Sequence, residues 1–274
     1  QNTKRLLRSM KEEFAVGTFR PAYFEADLLR TLSPIERILK NGSRMRVSGK
    51  ADRIDLAEDT ATGKIYARVV DYKTGDHALK LDQVLNGFDT QLLLYLFTLA
   101  ENGLKTQNAE VLPAAAYYLR AHTTPLSAQD ADLKKIAADP ERDVTVFSRS
   151  GVFLSDEDAL KASIPKGVST QTDCVPIRYN SSGLPVSSGL LANEEEMALL
   201  KEAVLKFATD TAEDIQDGKF ACEPLWEDEE KNDSCTYCPY HSICRYEGDA
   251  CRIMKKTSKK DFFSDLKEGG IHRG

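Results

Sequence analysis

A chain of 274 residues, 41% hydrophobic and 29% charged, can bury a full core and has the composition of an ordinary globular protein. No apolar run approaches the ~18 residues of a membrane span, and Gln1-Asn2-Thr3-Lys4-Arg5 does not read as a signal peptide, so a cytoplasmic protein without membrane contact is expected. The net charge of −6 argues against a broadly basic nucleic-acid surface, though only weakly, because a metal-dependent enzyme also gathers acids at its site, and six cysteines without an export signal do not suggest a disulfide framework.

Residues 1–14 carry Leu6, Leu7, Met10 and Phe14 at helical spacing. With no starting Met, the chain is expected to be a fragment that begins inside a helix. Arg20 to Leu29 reads as extended through Tyr23 and Phe24, and Ser33-Pro34 marks a turn or helix start. Ser43 to Leu56 and Lys64 to Lys73 read as two strands joined through Thr62-Gly63. The strand period of two puts Asp71 and Lys73 on one face and Tyr72 on the other. Asp52 can bring a second carboxylate to the same spot, whereas Asp55, three positions on, faces away and is expected to pair with a neighbouring Arg.

Two carboxylates and a strand carbonyl suit magnesium, which takes few protein ligands and keeps several waters. Lys73 would hold the attacking water or steady charge on a phosphate. An isolated Asp-x-Lys, however, is common in a chain this long and is usually a solvated strand end. The case therefore rests on what accompanies it.

From Lys80 to Ala100 the pattern turns helical and is apolar nearly all round through Leu92, Leu93, Leu94, Leu96 and Phe97. Gln91 and Tyr95 fall four apart on one face, where the Gln either bonds a core group or faces a cleft. Ala114 to Leu119 reads as a buried strand, and residues 121–151 as irregular or partly helical. Ser155-Asp156-Glu157-Asp158 resembles a capping box opening a short helix. Cys174 to Val186 suggests a strand pair around Asn180-Ser181-Ser182-Gly183. Asn193 caps a long helix through Met197, Leu200, Val204, Phe207 and Ile215, ending at Asp217-Gly218. The expected division is a core over residues 1–218 and a cysteine-rich segment with a basic tail over 219–274. The acidic run Glu227-Asp228-Glu229-Glu230 and the basic Lys255, Lys256, Lys259 and Lys260 are read as solvated surface.

Cys235-Thr236-Tyr237-Cys238-Pro239-Tyr240-His241-Ser242-Ile243-Cys244 holds a CxxC and a third Cys close behind. Three thiolates so spaced can converge on one inorganic centre. His241 keeps zinc open, while Pro239 and the missing second CxxC favour an iron–sulfur cluster. Cys222, Cys251 and Cys174 are available as a fourth ligand.

In this order GKADRID, VVDYKTG, QLLLY and CTYCPYHSIC resemble the nuclease domain at the C-terminus of the AddB family, which forms one half of the bacterial ATP-dependent helicase/deoxyribonucleases. That family lies in the RecB-like branch of the PD-(D/E)xK nucleases. The resemblance spans about residues 20–245 and implies an α/β, restriction-endonuclease-like core: a mixed central sheet flanked by helices, with a C-terminal cysteine-rich appendage. It implies that Asp52, Asp71 and the Tyr72 carbonyl bind magnesium, with manganese able to substitute, and that Lys73 is the catalytic lysine. Gln91 and Tyr95 would line the DNA channel, with Glu25 a candidate for the family's early acidic or His position on the first core helix. Cys235, Cys238 and Cys244 match three ligands of a [4Fe-4S] cluster whose fourth Cys lies upstream in the family, so that the cluster would be incomplete or absent in this fragment.

The implied function is a DNA exonuclease domain cutting single strands fed by an AddA-like helicase–nuclease partner, in the processing of double-strand breaks for recombinational repair. The alternatives are a stand-alone RecB-like iron–sulfur exonuclease of the CRISPR-associated type and a DNA-binding or scaffolding domain without catalysis.

Overall fold

The computed structural model describes residues 2–75, 77–103, 110–121, 149–165, 177–187, 189–227, 234–236, 238–244, 246–248 and 251–272. Cys174 and most of the polar stretch 121–151 lie outside them. The chain divides into two compact units, one of residues 1–35, 48–79 and 95–197, the other of 36–47, 80–94 and 198–274.

The first unit is built on a six-stranded mixed sheet, in agreement with the expected α/β class. Helix α1 (Asn2–Val16) is followed by β1 (Arg20–Asp27), and further on by β4 (Lys50–Asp59) and β5 (Lys64–Lys73); between β1 and β4 the short strands β2 (Glu36–Ile38) and β3 (Arg44–Arg46) form a hairpin in the second unit. The predicted strand from Ser43 to Leu56 is thus two strands, broken where Gly49 turns its carbonyl to accept the Leu28 N–H at 3.0 Å. β1 pairs with β4 and β4 with β5, both antiparallel.

Residues 80–100 form two helices, α2 (Leu81–Leu85) and α3 (Gln91–Asn102), where periodicity predicts one. Gly87 and Asp89 have φ of 85° and 53°. A side chain at Gly87 would run into the Phe207 ring, so only glycine fits this break.

Strand β6 (Val111–Arg120) lies parallel to β5, with a register shift opposite Pro113, which has no N–H to give the ladder. Strand β7 (Arg149–Leu154) pairs antiparallel with β6 and is a strand that the polar pattern did not reveal. Helix α4 (Glu157–Ser163) is capped by Asp156, whose Oδ1 accepts from the N–H groups of Asp158 and Ala159 at 3.1 and 2.9 Å. The hairpin of β8 (Ile177–Tyr179) and β9 (Pro185–Ser187) turns through Asn180–Gly183, and β10 (Leu190–Ala192) closes the sheet beside β7. On the sheet face that α1 covers, Leu6, Met10 and Val16 pack against Val70, Tyr117, Leu119 and Phe153. Burial of this apolar surface is the main force holding α1 down.

Helix α5 (Glu194–Gln216) opens with a reciprocal capping box: the Glu196 N–H donates to Asn193 Oδ1 at 2.9 Å, and the Asn193 N–H to Glu196 Oε2 at 2.8 Å. It ends at Gly218, φ 71°. The second unit continues with β11 (Leu225–Trp226), the single turn α6 (His241–Cys244), β12 (Arg252–Ile253) and α7 (Phe262–Gly269). Buried Asn86 ties this unit together: its Nδ2 donates to the carbonyls of Asp82 (2.7 Å) and Lys255 (2.9 Å), and its Oδ1 accepts the Lys255 N–H (3.1 Å). The lysine run is not wholly solvated, because Lys255 pairs with Asp265 at 3.3 Å and Lys256 lies 3.6 Å from both Asp82 and Glu227.

Candidate active site

Strands β4 and β5 carry the acids and the lysine. Their register runs from Asp59↔Lys64 to Arg53↔Val70, so Asp52 and Asp71, each one residue further, project from the same face. Lys73 Nζ stands 2.7 Å from Asp71 Oδ2, and the Tyr72 N–H donates to Asp52 Oδ2 at 2.9 Å. Asp71 Oδ2 is shielded from solvent and has no hydrogen bond of good geometry among the described residues. Such an oxygen is a fit acceptor for a hard cation, and so is the half-buried Asp52 carboxylate. Burial is the largest effect raising the Asp52 pKa; Asp71 and Glu25 add to it, while the Tyr72 N–H and Lys73 oppose it. Among the described residues no three His, Cys, Asp or Glu side chains converge on one point. The oxygens brought together here are those of the two carboxylates, a small set that suits an ion keeping most of its waters.

Glu25 sits in β1 between Phe24↔Arg53 and Ala26↔Ala51, and so stands opposite Asp52. Its φ of 50° is unusual for a residue other than glycine, and its carboxylate pairs with Lys50 at 2.6 Å.

Gln91, the first residue of α3, is exposed rather than enclosed in an apolar helix, and buried Tyr95 follows one turn later on the same face. Tyr95 packs so tightly on Gly49 that a Cβ there would overlap its hydroxyl and ring. A bare backbone at Gly49 therefore lets the tyrosine reach the start of β4. On β6, Tyr118 is the register partner of Asp71; its ring centroid lies 5.1 Å from Lys73 Nζ, and His77 meets the ring edge-on with centroids 4.4 Å apart.

The opposite face of the same strands holds a buried ionic network that sequence reasoning saw only at its edge. As expected, Asp55 is an ion-pair partner: Arg53 Nε lies 2.8 Å from its Oδ1 and Arg68 Nε 2.7 Å from its Oδ2. Arg68 also reaches Glu13 on α1 at 2.9 Å, and Glu13 takes Arg149 at 2.8 Å and the Tyr117 hydroxyl at 3.0 Å. Burial pushes the Glu13 pKa up, but Arg68, Arg149 and Arg53 outweigh it and hold the carboxyl below its usual range. Arg53 Nη1 donates to Tyr72 Oη at 2.6 Å. Alternation in Ala51-Asp52-Arg53-Ile54-Asp55 already puts Arg53 and Asp55 on one face; nothing local pointed to Glu13 or Arg149.

In the second unit, Cys222 Sγ and Cys244 Sγ are 2.9 Å apart. This close approach is the main cause that pushes the Cys222 thiol up to about 11, and Cys235 and Cys238 add to it electrostatically. Thiols are the right donors for an iron–sulfur cluster or zinc. Cys222 is thus one described cysteine outside the motif that stands against it.

The chain matches the PD-(D/E)XK nuclease superfamily over residues 2–245. Relatives that carry the name of the second, or B, component of an ATP-dependent helicase/deoxyribonuclease include one from Clostridium acetobutylicum, 29% identical over 99% of this chain and 24% of its own length. Others come from Caldanaerobacter subterraneus (30% identical, 86% of this chain, 20% of the relative) and Moorella thermoacetica (30%, 90% and 21%). The chain thus spans a quarter or less of the relatives it matches. With the match running across nearly its whole length, the chain belongs to the PD-(D/E)XK nuclease superfamily.

Proposed function

We propose that this chain is the nuclease domain of a helicase–nuclease complex and hydrolyses DNA phosphodiesters with a divalent ion, magnesium or manganese. The supporting observation is the juxtaposition of Asp52, Asp71 and Lys73 on one sheet face, with Lys73 2.7 Å from Asp71 and the Asp52 carboxylate fixed by the Tyr72 N–H at 2.9 Å. Asp52, Asp71 and the Tyr72 carbonyl would hold the ion. When bound, it supplies a water of lowered pKa and offsets charge on the phosphate. Lys73 orients the attacking water or steadies the developing phosphate charge. No side chain forms a covalent bond to the DNA. Gln91 and Tyr95 are assigned to the wall of the strand channel.

From the relatives' name, which joins a helicase to a deoxyribonuclease, and from the resemblance to the AddB family, we assign a motor partner of the AddA type that delivers single strands for exonucleolytic cutting during repair of double-strand breaks by recombination in the cytoplasm. Residues 1–218 would form the nuclease core and 219–274 the cysteine-rich segment, where Cys235, Cys238 and Cys244 ligate a [4Fe-4S] cluster in the full-length protein. The test is Asp71→Ala with single-stranded DNA and magnesium. Cleavage falls roughly 10²-fold or more while DNA binding is retained; cleavage at the parent's rate refutes the assignment.

A further inference from the structure

We infer that Arg53 and Tyr72 form a clasp that sets the spacing of β4 and β5 at the two aspartates, which makes them positioning residues for Asp52. This deepens the proposed function and rests on it. The β4–β5 register runs as far as Arg53↔Val70. Beyond that point the Tyr72 N–H donates to the Asp52 carboxylate at 2.9 Å, so a side chain acts where a strand ladder would use a carbonyl. β5 meanwhile stays paired with β6 through Tyr72↔Leu119 and Lys73↔Arg120. The edge of β5 that faces β4 therefore needs another tie at this level.

Arg53 provides it from the opposite face. Its Nη1 donates to Tyr72 Oη at 2.6 Å, and its guanidinium carbon lies 5.5 Å from the centre of that ring. Arg53 follows Asp52 in β4, and Tyr72 follows Asp71 in β5. One charge-assisted bond thus joins the immediate neighbours of both carboxylates. Arg53 is itself 0% exposed and lies 2.8 Å from Asp55, which Arg68 holds in turn. The tyrosine hydroxyl is accordingly bonded to a buried, ion-paired group. A charge-assisted bond is directional in a way that apolar packing is not, so it fixes where the Tyr72 main chain lies and with it the Asp52 carboxylate.

Two variants test the clasp on the whole chain: Tyr72→Phe, which removes one oxygen and keeps the ring, and Arg53→Lys, which keeps the charge and loses the fork. Binding of manganese alone, followed by electron paramagnetic resonance, is compared with the metal dependence of DNA cleavage and with melting temperature. Both variants are expected to weaken manganese binding about tenfold and to raise the metal needed for cleavage in step. Parent-like binding with a lowered melting temperature would mean that the clasp is only structural. Asp52→Asn and Asp71→Asn serve as references. If neither disturbs manganese binding, the metal-site reading fails; if both abolish it while Tyr72→Phe and Arg53→Lys bind like the parent, the clasp fails alone. Should Tyr72→Phe not fold, Arg53→Lys decides by the same criterion.

Discussion

Asp52 is held in conflict. Burial and the neighbouring charges of Asp71 and Glu25 favour its protonated form, while the Tyr72 N–H and Lys73 favour the ionised one, and the balance raises its pKa. A carboxyl whose pKa is raised by folding adds stability at low pH and loses it as the pH climbs through that raised value. At neutral pH and without metal, ionised Asp52 therefore strains the native state. Asp52→Asn, which can still accept the Tyr72 N–H, is expected to melt at or above the parent temperature in EDTA at pH 7. That advantage should shrink toward the ordinary Asp value of 3.8. The same variant should lose cleavage by roughly 10²-fold or more. A melting temperature well below the parent's would contradict this account. The positions of Asp52, Asp71, Lys73 and Asp55 were legible because a strand alternates strictly. The hold of Arg53 on Tyr72 was not, since it depends on which residues of two strands come level.

Between elements, the decisive contact is ionic as well as apolar. Glu13 of α1 sits 2% exposed among Arg68, Arg149 and the Tyr117 hydroxyl, and so shares with Asp55 the anionic side of a buried network spanning α1, β4, β5, β6 and β7. Removing one partner of such a network leaves buried charge unmatched. Glu13→Gln should cost about 3–5 kcal/mol of stability, read by urea unfolding at pH 7. The sign with pH follows from its lowered pKa: the carboxylate's contribution is present above the usual Glu value of 4.5 and fades as the pH falls through the lower folded value. The parent should therefore lose its advantage over Glu13→Gln in acid, and a gap independent of pH would show that the charge is not what matters. Element boundaries were readable where local chemistry sets them, as in the Asn193–Glu196 capping box. The helix end at Asn86-Gly87 was a local signal passed over, Gly87 taking φ of 85° there, while Arg149 was unreadable because its place in a strand depends on β6.

For the whole molecule, the cysteine segment belongs to the second unit together with α2, most of α5 and α7. Cys222 lies 22 residues before Cys244 and yet reaches it through space. The full-length protein purified without oxygen is expected to carry iron and acid-labile sulfide, and Cys238→Ser should lose most of both. Zinc without sulfide would overturn the cluster assignment. Among the described residues no helix is long and apolar enough to cross a membrane.

The sequence by itself determined the chemistry on offer: two aspartates and a lysine at strand spacing, a Gln and Tyr one helical turn apart, and thiols set close together. These are local facts, and strand and helix periods convert them directly into shared faces. Tertiary structure alone decided that an arginine next to one aspartate would grip the tyrosine next to the other, and that Glu13 would be buried against Arg68 and Arg149. Such contacts join residues far apart in the chain, where no local period reaches and only the packing of the sheet against its helix sets the distance.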